Sequence, residues 1–146
     1  MTIGGDYSFQ DYNISILTPA GGITTFGAGV GSGTITMNTD KTTQNVAADG
    51  VVLHNFIAGD NGTFTLTMQQ TSFLNGWLKA AYNTMKLLPK ALWSTISIQI
   101  ANLVNVEYAT LNGCSFQKLP DKPMQAEAQM VSWVFLCKDV QQQDLL

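Results

Sequence analysis

The sequence predicts a mainly β protein, an antiparallel β-sandwich or barrel with one α-helix at about 73–87, and three observations carry that expectation. Residues 62–69 alternate strictly, with Phe64, Leu66 and Met68 set against Thr63, Thr65, Thr67 and Gln69. The same period of two returns at 94–100, where Ile96, Ile98 and Ile100 interleave with Thr95, Ser97 and Gln99. It appears again at 34–38, where Ile35 and Met37 sit between Thr34, Thr36 and Asn38. Successive strand side chains point to opposite faces, so each segment turns one face to a core and one to water. The second observation is that only one stretch, 73–87, repeats apolar residues at helical spacing. The third is that turn-forming residues punctuate the chain at short intervals.

Taken in order, residues 1–11 read as an irregular arm. Tyr12 to Thr18 reads as a strand, Pro19 to Gly22 as a turn, and Ile23 to Phe26 as the hairpin partner. GAGVGSG (27–33) holds four glycines in seven residues and reads as a mobile loop in the free subunit. Its letters match a dinucleotide fingerprint, but no helix follows to turn its N-terminus toward a pyrophosphate. A strand at 34–39, a polar turn through Asp40, Lys41 and Thr42, and an extended run at 44–49 come next. Residues 51–57 read as a short buried strand. Gly59 to Gly62 is a turn leading into the opening alternation.

Ser72 is placed to cap a helix, because its hydroxyl can accept from a free N–H of the first turn. Leu74, Trp77, Leu78, Ala81, Tyr82 and Met85 then share one stripe, with Asn75, Lys79 and Lys86 off it or at its margin. Pro89 stops the helix. Residues 94–103 read as a strand, and Glu107 to Phe116 as an extended segment broken at Asn112-Gly113 by a bulge or turn. Residues 119–123 form a rigid loop. Gln125 to Cys137 reads as a long last strand before a polar tail. The expectation is about eight strands and one helix in a single domain, 1–146, with a long loop region at about 27–50.

Composition narrows the function classes. Charged residues make up 12% of the chain, about half the usual ~25%. All basic residues are lysine: Lys41, Lys79, Lys86, Lys90, Lys118, Lys122 and Lys138. Arginine supplies the bidentate fork for phosphates and guanine edges, so its absence and a net charge of -3 argue against nucleic-acid binding as the function. A weakly charged surface has little self-repulsion, which favours association. The N-terminus shows neither the basic segment nor the apolar run of a signal peptide. No stretch approaches the ~18 apolar residues of a membrane span, so no membrane insertion is expected. Cys114 and Cys137 lie in strand-like segments and are expected as buried free thiols, with a disulfide open to them if their strands pair.

Residues that could carry chemistry do not converge. His54 is the only histidine, sits in an apolar run and is expected to be structural. The carboxylates are scattered, with no close pair for acid–base work. Glu127 stands out because the last strand holds few other charges; it faces either a pore or solvent. Trp77, Trp93 and Trp133 read as core or subunit-contact residues rather than as a sugar platform. No catalytic, cofactor or metal site is expected. The residues describe a β-rich, non-enzymatic, self-associating protein.

Three pieces together resemble a known family. They are GAGVGSGTITMNTDKTTQNVAADG (27–50) after a short hairpin, GDNGTFTLTMQQTSFLNGWLKAAYN (59–83), and the final long strand. Their order and spacing are similar to those of tail tube proteins of contractile-tailed bacteriophages, over nearly the whole chain. The resemblance implies homohexameric rings that stack into a hollow tube inside a contractile sheath. It implies a place in the virion tail, assembly in the host cytoplasm, and sheath, baseplate and tape-measure proteins as partners. It also implies a loop region that reaches an adjacent ring, with Gly27, Val30, Gly33, Asp40, Lys41 and Asp49 as stacking candidates. DNA would pass through the tube without specific binding. Thr63, Thr65, Thr67, Gln69, Thr95, Ser97, Gln99 and Glu127 are then candidates for lumen or subunit contact. Two alternatives remain at this point: a tube subunit of a related contractile injection or secretion system, and a small β-sandwich ligand-binding module, for example for sugars.

Overall fold

The segments with period two become strands, and their apolar sides meet in one core, except at exposed Met37. The computed structural model describes residues 12–26, 30–102 and 106–144. The strands are β1 (Tyr12–Thr18), β2 (Gly21–Phe26), β3 (Val30–Met37), β4 (Thr42–Val46), β5 (Val52–Phe56), β6 (Gly62–Gln69), β7 (Ile96–Asn102), β8 (Glu107–Phe116), β9 (Met130–Cys137) and β10 (Asp139–Asp144). The helix α1 (Phe73–Met85) lies between β6 and β7, followed by a single 3-10 turn at Lys90–Leu92.

Hydrogen bonding joins the strands in the order β2-β1-β7-β8-β9-β6-β3, with β10 on β8 and with β4-β5 as a separate hairpin. All these pairings are antiparallel. Strand β8 serves both layers. Its first half lies between β7 and β10, whereas Ser115 and Phe116 lie beside β9. One layer is therefore β2, β1, β7, β10 and the first half of β8, and the other is β3, β6, β9 and the end of β8. Ile14, Ile16, Ile96, Ile98 and Leu111 from the first layer and Phe64, Leu66, Met68, Trp133 and Phe135 from the second belong to one buried cluster. Each such side chain contributes about 1.5–3 kcal/mol on burial. The predicted β-sandwich is the observed one.

The switch between layers occurs at the predicted interruption. Gly113 has φ +62, and the β7–β8 register slips between Ile96 and Ile98. A glycine enters this left-handed region without a Cβ penalty, and the extra residue bends the strand.

Ser72 Oγ accepts from Leu74 N at 3.3 Å and caps α1. The predicted stripe is buried at Leu74, Leu78, Ala81 and Met85, with Trp77 and Tyr82 packed against the core. Phe116 sits at the hub of an aromatic group, with ring centroids 5.6 Å from Tyr82, 6.2 Å from Trp93, 5.6 Å from Trp133 and 5.0 Å from Phe135. The helix ends at Met85 rather than 87, because Leu87 N and Leu88 N turn to the carbonyls of Thr84 and Met85, both at 3.1 Å. That tighter pattern commonly closes a last turn.

Four expectations are corrected. Within the loop region at about 27–50, the glycine-rich stretch expected as a loop through Gly33 joins strand β3 from Val30 onward. Strand β5 is fully exposed rather than buried. The last long strand begins at Met130; Gln125 to Gln129 offers only the small side chains of Ala126 and Ala128 to bury, and stays irregular. The polar tail is itself a strand, β10, held by its pairing with β8 and anchored by buried Val140.

Candidate assembly surface

The outward side of β3, β6 and β9 is a continuous sheet face. Thr65 stands opposite Thr34 and Val134, Thr63 opposite Thr36 and Leu136, and Thr67 opposite Ser32 and Ser132. No residue of these three strands carries a carboxylate, ammonium or guanidinium. Two of the β6 hydroxyls are tied down at the ends of the face. Thr67 Oγ1 and Ser132 Oγ are 3.0 Å apart, and Thr63 Oγ1 donates to Asn38 Oδ1 at 3.0 Å while accepting from Asn38 Nδ2 at 2.7 Å. Gln69 is exposed at the end of β6. The result is an uncharged surface, hydroxyl-rich on β3 and β6 and partly apolar on β9, where Met130, Val134 and Leu136 face outward beside Ser132.

Ser97 and Gln99 fall elsewhere. They lie on the outer face of the other layer, where Gln99 stands opposite Ser15 and Thr110, and Ser97 Oγ bonds Asn112 Oδ1 at 3.2 Å. The sandwich thus separates the predicted residues onto two opposite faces. Thr95 belongs to neither, since it precedes β7 and its Oγ1 donates to Leu92 O at 2.7 Å. Glu127 is exposed in the irregular segment before β9, so its expected strand position is wrong.

The stacking candidates spread over two elements. Gly27 lies outside the described residues. Val30 opens β3 opposite Met68, and Gly33 lies within β3 opposite Leu66, where an added Cβ would meet Phe64 at 3.3 Å. Asp40 and Lys41 sit at the base of the β4–β5 hairpin, and Asp49 sits in its turn. Lys41 Nζ bonds Asp60 Oδ1 at 3.0 Å, and Ile57 N donates to Lys41 O at 2.8 Å. At the tip, Asp49 Oδ1 accepts from Val51 N at 3.1 Å and Gly50 has φ +87.

Sequence reasoning missed what this hairpin does with its apolar residues. Every residue of β4 and β5 is exposed. Val46 is 69% exposed, Leu53 59% and Phe56 83%. His54, expected to be structural, is exposed beside Gln44, with its Nε2 at 3.0 Å from Gln44 Nε2. An isolated two-stranded ribbon is marginal in water, and this one leaves apolar side chains uncovered on both of its faces. Strands β2 and β3 end the hydrogen-bonded path, each with one side unpaired among the described residues. Such edges invite pairing with another chain. Trp133 is fully buried, while Trp77 and Trp93 pack against the core, so these rings form no exposed platform.

Residues 5–144 match the protein-family model described as Bacteriophage PhiTE tail tube protein. No curated protein sequence matches the chain significantly. Among solved structures, the chain is similar to the tube-terminating cap of the anti-feeding prophage. The TM-score is 0.61 at 9% identity, covering 99% of this chain and 95% of that one. It is similar as well to a chain of the PVC sheath-tube complex, an extracellular contractile injection system in its extended state. There the TM-score is 0.58 at 10% identity, over 98% of this chain and 95% of that one. A third similarity is to the sheath/tube terminator of the same system, with TM-score 0.61 at 9% identity, over 97% of this chain and 99% of that one. At these identities the likeness shows a shared fold.

Proposed function

Because the chain belongs to the bacteriophage PhiTE tail tube protein family, and is so a structural subunit of the tail tube of a phage or phage-like particle, we propose that it closes into six-membered rings which stack into a hollow conduit for DNA. The observation that carries this reading is the neutral face of β3, β6 and β9, bounded by the unpaired edge of β3. Pairing that edge with a neighbouring subunit extends the sheet around an axis, and ring closure removes the edge altogether. The face then lines the bore. DNA is a dense polyanion, and a wall of threonine, serine and uncharged apolar side chains presents no cation to hold its phosphates.

The β4–β5 hairpin is the stacking element. Its base is fixed by Lys41 and Asp60, and its exposed Val46, Leu53 and Phe56 find cover only against another subunit. Sheath, baseplate and tape-measure proteins are the partners of the assembled tube, which forms in the host cytoplasm. A tube subunit of a related contractile injection device is the second reading, favoured by the likeness to the sheath-tube complex over nearly the whole chain. Capsid and packaging genes beside this one would select the phage tail, and effector genes the injection device. A ligand-binding module would instead stay monomeric or dimeric.

Negative-stain microscopy with light scattering tests the ring. Rings or tubes are expected as concentration rises. Solitary particles at every concentration, even with baseplate components added as nucleators, would overturn the proposal.

A further inference from the structure

Cys114 and Cys137 stand on neighbouring strands in a relation that two unrelated core thiols would not have. β8 and β9 pair Ser115 with Leu136 and Phe116 with Phe135, and Gln117 N donates to Val134 O at 3.0 Å. One further step of this register sets Cys114 directly opposite Cys137. Antiparallel ladders alternate hydrogen-bonded and non-hydrogen-bonded pairs, and Gln117 with Val134 is of the first kind, so Cys114 with Cys137 is of the second. Cα atoms of such pairs lie about 4.5 Å apart, within the span that a disulfide bridges. The thiols are free, and their Sγ atoms are 2.8 Å apart. Cys114 donates to Cys137 in that contact, which raises the Cys114 thiol well above its ordinary range and lowers that of Cys137.

We propose that Cys114 and Cys137 form a latent oxidation site that closes to an intrachain disulfide when the folded protein meets a small peroxide. Both residues are buried, at 0% and 4% exposure, so the oxidant has to be as small as hydrogen peroxide. Cys137 reacts first, as the thiolate. Its sulfur attacks one peroxide oxygen, the O–O bond breaks, Cys137 becomes a sulfenic acid, and the departing hydroxide takes up the proton that Cys137 released. The Cys114 sulfur then displaces the sulfenic hydroxyl, which leaves as water with the Cys114 proton. Two thiols lose two electrons in all, and one peroxide becomes two waters. The bond ties the two ends of the exposed segment between β8 and β9, and it fixes the layers beside the Gly113 corner. It stands on the register of these two strands and not on the ring reading.

The test uses the purified, reduced protein in native buffer with a slight molar excess of hydrogen peroxide. The treated protein is unfolded, exposed to iodoacetamide and weighed intact. The expected product has lost two hydrogens, takes up no alkyl group, and reverts with dithiothreitol. Its Tm rises by about 5–10 °C over the reduced form. Peroxide produces neither change in Cys137→Ser. Alkylation at both cysteines after peroxide, added oxygen without loss of hydrogen, or covalent dimers would each overturn the proposal, and the wild-type mass decides it even if Cys137→Ser does not fold.

Discussion

Asn75 shows how a single side chain can escape its helical period. It lies off the apolar stripe of α1, which reads as a surface position, yet it is only 3% exposed. The cause lies on another element. Trp133 Nε1 donates to Asn75 Oδ1 at 3.0 Å, and Asn75 Nδ2 donates to Gln70 O at 2.9 Å. A buried indole needs an acceptor, and spacing within one helix carries no information about a partner 58 residues away. Asn75→Leu keeps the volume but strands the indole N–H and the Gln70 carbonyl. A loss of about 1–3 kcal/mol is expected, read as a lower urea midpoint at unchanged slope. Combining it with Trp133→Phe should cost less than the two single losses added, since the pair shares one bond. Gly113 is the opposite case, because Asn-Gly announced its turn chemistry and the left-handed backbone is where that dipeptide put it.

At the level of elements, periodicity and caps located most of the fold. β1, β6 and α1 begin where alternation, turn residues and Ser72 placed them. What could not be read was whose core an apolar run would join. The run from Val51 to Ile57 has the composition of a buried strand, but β5 pairs only with β4 and adds no residue to the core of its own subunit. Hydrophobicity records that a side chain seeks cover and does not record which chain supplies it. The same limit made β10 look like a tail, for its glutamines gain their place from the β8 edge and not from apolar drive. Replacing Leu53 and Phe56 together with serine should leave the isolated subunit within about 0.5 kcal/mol of wild-type stability, because both are exposed. Tubes should shorten or fail to grow while rings persist, as counted in negative-stain fields. Lost subunit stability with unimpaired tube growth would assign the hairpin to the fold instead.

For the whole molecule, the distribution of charge is the informative quantity. Lysines occupy the hairpin base, α1, the turn after it, the segment before β9 and the Gly113 corner, and none lies on the face formed by β3, β6 and β9. The neutral period of Thr63, Thr65 and Thr67 was visible in the sequence, but its separation from Ser97 and Gln99 was not, because alternation assigns a face within a strand and not a side of the sandwich. Thr65→Arg places a guanidinium at the centre of that face. Ring assembly should survive, and DNA release from assembled particles should slow several-fold or stop, measured by dye uptake after triggering at two salt concentrations. Normal release would remove this face from the bore.

Strand β8 belongs to both walls of the sandwich. Neither wall can peel away alone, because its hydrogen-bond ladder is stitched to the other through the same ten residues. A pull on one wall is therefore felt by its opposite. In an apparatus that drives a rigid shaft forward in a single stroke, a building block so stitched would yield all at once or not at all, and would reach the end of its thrust with its shape intact.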